Sequence, residues 1–204
     1  MSTAVIIVPG LNTPLWLKSF KFFVRLYYRY WGLDQANGNT WTGLKEYVEQ
    51  NGFTVYIFEW KSAFSDANGA IPEGKRLAKF IDTTSEEKII LFGYSLGGVV
   101  AENAITYSTR KEKISKLLSV ASPHKNKWIN LPHSIKIVNI YSDADNYLTF
   151  ANRMRHFKDC KTIKNADNIM IPHLTHSQFN KNLPIQTEKG VINLYDYYLE
   201  IIKQ

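Results

Sequence analysis

Residues Lys88 to Thr106 read KIILFGYSLGGVVAENAIT. Ile89, Ile90, Leu91 and Phe92 form an apolar run with no polar break, the pattern of a strand covered on both faces of a parallel sheet. Gly93-Tyr94-Ser95-Leu96-Gly97 follows as G-x-S-x-G, and Val99, Val100, Ala101, Ala104 and Ile105 then recur at helical spacing. Strand, sharp turn and helix in this order place a serine at the turn. A turn this tight holds its central residue in a strained backbone conformation and lifts the hydroxyl above the carboxyl edge of the sheet. Gly93 and Gly97 suit the close crossing of strand and helix. The amide of Leu96, at the helix start, is directed toward the same space and is suited to bind a developing oxyanion.

Apolar runs on either side extend the pattern. Strands are expected at Ala4–Val8, Phe53–Phe58, Ile114–Val120, Ile135–Tyr141 and, interrupted by Asn165-Ala166-Asp167, within Thr162–Ile171. Helices are expected at Thr40–Gln50, Ile71–Ile81, Phe150–Phe157 and Val191–Ile202. Alternation of this kind predicts an α/β fold: a doubly wound, mostly parallel sheet of about six strands with helices on both faces. At 204 residues the chain suits one domain, 1–204.

Leu15–Trp31, LWLKSFKFFVRLYYRYW, carries Lys18, Lys21, Arg25 and Arg29 in one helical stripe among aromatic residues. It reads as a cap-like helical insert within 14–38, with the basic residues in water. The same pattern suits weak contact with an anionic membrane surface. The net charge of +7 permits such contact but does not choose among anionic partners. The aromatic density suits an apolar pocket better than nucleic acid. The first residues lack the basic segment and long apolar core of a signal peptide. No uncharged apolar run reaches about 18 residues, so no transmembrane helix is expected. Cys160 is the one cysteine, which excludes an intramolecular disulfide, and a cytoplasmic location is expected. There is no cysteine pair and no His-x-x-x-His, and the glycine spacing fits neither a dinucleotide fingerprint nor a P-loop. Neither a metal nor a cofactor is expected.

A serine hydroxyl needs a base to take its proton, and the base needs a partner to fix its tautomer. In a doubly wound sheet these groups lie beyond the carboxyl ends of strands. His133 precedes a strand and His156 falls within a helix, which leaves His124, His173 and His176. Asp143 and Asp145 both follow the Ile135–Tyr141 strand.

These residues resemble the α/β-hydrolase family, in particular small lidless bacterial lipases and serine esterases. The resemblance runs through VPGLN at the first strand, GYSLGG, IYSDAD and PHLTHSQF. It implies that Leu11 and Leu96 supply the oxyanion amides, with Pro9 in the place where the family usually has His. It implies Asp145, three residues after Ser142, as the acid in preference to Asp143. It implies His176, just before the last helix, as the base in preference to His173. The order Ser95, Asp145, His176 is that family's order. His124, in Ala-Ser-Pro-His, resembles a turn outside the triad and reads as structural or as lining the pocket. The implied activity is hydrolysis of a small-molecule carboxylic ester or thioester through an acyl-enzyme. The alternative is a catalytically silent relative that binds a ligand or partner in the same pocket.

Overall fold

The computed structural model describes residues 2–10, 41–60, 70–124, 131–148 and 161–204. The expected insert at 14–38, the helix at 150–157, Leu11, His156 and Cys160 lie outside these residues.

Strands β1 (Thr3–Val8), β2 (Thr54–Ile57), β3 (Lys88–Tyr94), β4 (Ile114–Val120), β5 (Lys136–Tyr141) and β6 (Asp167–Met170) form one sheet in the order β2-β1-β3-β4-β5-β6. Every pairing in it is parallel. The chain steps from β1 to one side for β2 and to the other for β3, so the carboxyl ends of β1 and β3 flank the switch point where open α/β sheets place their ligands.

Alternate residues of the central strands divide between two cores. Val5, Ile7, Ile90, Phe92, Leu118 and Val138 point to one face, where they meet Leu44 and Val48 of α1 (Thr42–Gln50) and Tyr198, Ile201 and Ile202 of α4 (Leu194–Lys203). Ile6, Val8, Ile89, Leu91 and Leu117 point to the other, against Leu77 and Ile81 of α2 (Ala70–Thr83) and Val100, Ala104 and Ile105 of α3 (Leu96–Tyr107). With both faces covered, β3 has no use for polar alternation, and all its residues after Lys88 are buried. Helices therefore lie on both faces of a six-stranded sheet, as the alternation predicts.

Two elements differ from their expected form. In the 162–171 run, pairing begins only at Asp167, because Asn165 turns the chain with φ 64°. The expected helix over Val191–Ile202 begins at Leu194; Gly190–Asn193 is instead β8, the second arm of an antiparallel hairpin with β7 (Pro184–Thr187). Gly190, at φ 109°, makes the turn. Val191 is 72% exposed, so its apolar character reported no buried helix face.

Candidate active site

Ser95 sits between β3 and α3 with φ 53° and ψ −131°. A side chain rarely adopts this backbone, and here its surroundings impose it. The Ser95 N–H donates to Val120 O (2.9 Å), and its carbonyl accepts from Gly98 N–H (3.0 Å). A Cβ on Gly93 would lie 2.5 Å from Gly98 Cα, and one on Gly97 would lie 2.0 Å from Val8 O. The crossing of β3, α3 and the end of β1 thus excludes any larger residue at either position. Leu96 opens α3, so its N–H is a first-turn amide without an intrahelical acceptor.

The other side chains arrive from neighbouring carboxyl ends. Asp145 follows β5 and is fully buried; its Oδ1 accepts the Leu148 N–H (3.0 Å). His176 opens a short 3-10 helix, His176–Asn180, beyond β6. Its Nδ1 lies 2.8 Å from Asp145 Oδ2 and its Nε2 lies 3.0 Å from Ser95 Oγ. The chain of contacts is therefore carboxylate to imidazole to hydroxyl. With Nδ1–H donated to the carboxylate, Nε2 is left as the acceptor for the serine proton.

The rival residues occupy other positions. Asp143 Oδ1 accepts the backbone N–H of His173 (2.9 Å), and Ser142 Oγ accepts that of Leu174 (3.0 Å). That backbone hydrogen bond, the largest influence, holds the Asp143 carboxyl below its usual value. Asp143 thus ties the turn after β5 to the segment that leads into His176. His173 is exposed, with φ 63°. His124 is 1% exposed; its ring meets Glu102, Ser119 and Asn139 on the α3 face of the sheet.

Several surrounding residues carry no local sequence signal. Tyr94 and Tyr147 both pack against His176, with ring centroids at 5.1 and 4.5 Å. The Tyr94 hydroxyl donates to the His176 carbonyl (2.6 Å). Burial first, then the charge of Asp145, raises the Tyr94 phenol well above its ordinary value, so it remains a donor at any working pH. Trp60 Nε1–H donates to Pro9 O (2.7 Å) and holds the peptide leading into Gly10. A Cβ on Gly10 would lie 2.8 Å from Ser95 Cβ, so only glycine lets this loop approach Ser95 so closely. Leu11, the next residue, lies outside the described residues. Among the described residues no group of three or more His, Cys, Asp or Glu side chains is arranged to hold a metal.

The family model of the PGAP1-like alpha/beta domain matches residues 70–182, more than half of the chain and the part that carries all three of these side chains. The chain belongs to this family. A GPI inositol-deacylase from Candida albicans is 27% identical over 103 residues, which take in 46% of this chain and 26% of that protein. The chain therefore spans about a quarter of that curated relative. Solved structures share the fold at low identity. Mouse alpha/beta hydrolase domain-containing protein 10 superposes with a TM-score of 0.57 at 13% identity, over 98% of this chain and 88% of that one. A predicted CIB-like hydrolase from Thermoplasma acidophilum gives 0.56 at 11% identity, over 98% and 84%. The PGAP1-like chain thus has the α/β-hydrolase fold.

Proposed function

We propose that this protein is a serine hydrolase that cleaves a carboxylic ester or thioester through an acyl-enzyme. The observation that carries the reading is the hydrogen-bonded line Asp145–His176–Ser95, with both imidazole nitrogens engaged at 2.8 and 3.0 Å. Ser95 Oγ attacks the acyl carbon as His176 Nε2 takes its proton. His176 then gives that proton to the leaving group, and water repeats the sequence to release the acid. Asp145 keeps the imidazole in the required tautomer and stabilises the imidazolium. The Leu96 amide, at the start of α3, is suited to receive the oxyanion, and the resemblance to the family assigns the second donor to Leu11, which lies outside the described residues. A small lipid or acyl compound is the substrate class. It is supported by family membership and by a relative whose name describes a deacylase.

The test is labelling with a fluorophosphonate, followed by a panel of p-nitrophenyl esters and acyl-CoAs. Wild type should label at one site and turn over at least one ester, while Ser95→Ala should do neither; loss of a nucleophilic serine costs about 10⁶ in kcat. Asp145→Asn should lower kcat by roughly 10⁴, the cost of the wrong tautomer. Asp143→Asn should change kcat by less than about tenfold. Turnover by purified Ser95→Ala at the wild-type rate would remove the serine mechanism, and an inactive Asp143→Asn beside a normal Asp145→Asn would reverse the acid.

A further inference from the structure

On the face of the sheet away from α1 and α4, four buried polar side chains lie together between α3 and the strands. Glu102 of α3 is 3% exposed, His124 is 1% exposed, and Ser119 of β4 and Asn139 of β5 are fully buried. Burying four such groups is costly unless each is satisfied. His124 Nδ1 lies 2.6 Å from Glu102 Oε1, and its Nε2 lies 3.2 Å from both Asn139 Oδ1 and Ser119 Oγ. The orientation of Asn139 follows from its other bonds, since its Nδ2 donates to Lys161 O (2.7 Å) and Asn168 Oδ1 (2.9 Å). Its oxygen therefore faces His124, so Nε2 carries a proton and donates it.

The pair closes a clamp on the nucleophile turn. Gly98 and Glu102 are four residues apart, so they lie on one face of α3. The segment Ser122-Pro123-His124 runs along that face. At its start a Cβ on Gly98 would lie 2.1 Å from Ser122 Oγ, so the first turn of α3 rests directly on Ser122. At its end Glu102 holds His124. Ser122 Oγ also donates to Val120 O (3.2 Å), the same carbonyl that receives the Ser95 N–H. Through Asn139 the clamp reaches β5, the strand that leads to Asp145. Beyond Asn139, Lys161 Nζ donates to the carbonyls of Ser142 and Asp143 (both 3.2 Å) in the acid turn.

We propose that Glu102 and His124 are positioning residues for catalysis: their bond fixes the amino end of α3, and with it Ser95 Oγ and the Leu96 amide, relative to the strand bearing Asp145. This rests on the reading of Ser95 as the nucleophile. Neither residue touches the reacting atoms, so the effect is one of alignment, and a displacement of about 1 Å can cost around a hundredfold in rate.

The experiment compares Glu102→Leu, which severs the bond at similar volume, with Glu102→Gln, which keeps a hydrogen-bonding partner for Nδ1. Active sites are titrated with a fluorophosphonate, and kcat is expressed per titrated site on the best ester of the panel. Glu102→Leu should lose about ten- to a hundredfold in kcat per titrated site with KM nearly unchanged, and its second-order rate of labelling should fall in parallel. Glu102→Gln should stay within about threefold of wild type. His124→Asn, too short to span Glu102 and Asn139, should behave as Glu102→Leu and serves where that variant does not fold. A purely structural role would lower the melting temperature and the fraction of titratable sites but leave kcat per site untouched, and that result overturns the proposal. Equal losses in Glu102→Gln and Glu102→Leu overturn it as well. A wild-type protein that does not label at all sinks the serine-hydrolase reading itself, whereas a labelled wild type with unaffected variants sinks only the positioning role.

Discussion

Ser95, the nucleophile of the proposed reaction, has a backbone that only glycine adopts comfortably. At φ 53° and ψ −131° its Cβ is held against the preferences of an L residue. A conformation of this kind stores about 1–3 kcal/mol, supplied by the surrounding bonds to Val120 and Gly98. Replacing Ser95 by glycine should release part of it, offset by the roughly 0.5–1 kcal/mol that glycine loses through its freer unfolded chain. Ser95→Ala keeps the strain and loses the hydrogen bond to His176. Ser95→Gly should therefore be more stable than Ser95→Ala by about 1 kcal/mol, or roughly 2–4 °C in melting temperature for a chain of this size, with both variants inactive. Thermal denaturation of the two variants side by side decides it. If alanine equals or exceeds glycine, the turn stores no strain and its geometry is merely permitted.

Tyrosine hydroxyls are what hold the histidine-bearing element in place. The 3-10 helix His176–Asn180 is too short to satisfy its own carbonyls. Tyr94 donates to His176 O, Tyr198 to Phe179 O (2.8 Å) and Tyr195 to Asn180 O (3.0 Å), so a strand and the last helix grip it from two sides. Tyr198 is fully buried, and burial pushes its phenol well above the ordinary value, so it remains a donor throughout. Tyr198→Phe should leave the Phe179 carbonyl short of its donor, at about 1–3 kcal/mol. A urea midpoint indistinguishable from wild type would mean that water replaces the phenol without loss. These bonds also mark the limit of what the sequence reveals. Apolar runs and G-x-S-x-G are local signals, so the central strands, α3 and the turn at Ser95 could be read directly. Tyr198 and Phe179 are 19 residues apart, and Glu102 and His124 are 22 apart. In VVAENAIT, Glu102 has the look of a solvated helix position, and nothing in helical periodicity reports a histidine waiting beneath the sheet. The β7–β8 hairpin escaped for a related reason: Val191 and Ile192 are apolar enough to open the helix that begins at Leu194, but the turn at Gly190 pairs them with β7 instead.

At the scale of the whole molecule, Asp82 and Asp143 each join segments far apart in sequence, and both bear on its behaviour in acid. Asp82, at the end of α2, receives Ser108 Oγ–H (2.6 Å), Thr109 Oγ1–H (2.8 Å) and the backbone N–H groups of Thr109 and Arg110. Burial pushes its carboxyl up, but these donors outweigh it and the folded value lies below the ordinary one. Asp143 is lowered too, chiefly by the His173 N–H. For a group lowered on folding, the stabilisation is fully present above the unfolded value of about 3.9 and disappears as pH falls through the lower folded value. Stability should therefore hold through neutral pH and fall below about pH 4. Net charge complicates the measurement, because the chain already carries +7 and protonating its carboxylates in acid adds self-repulsion. That contribution is nearly common to wild type and a single variant, so their difference isolates Asp82. Asp82→Asn should lower the urea midpoint at pH 7, where the charged acceptor is lost. The gap to wild type should close as pH falls from about 4 toward 2, where wild-type Asp82 is also neutral. Urea titrations at several pH values across this window test the claim. Two curves that fall in parallel, with a constant gap down to the lowest pH, would show that the Asp82 charge does not join α2 to the 108–110 turn.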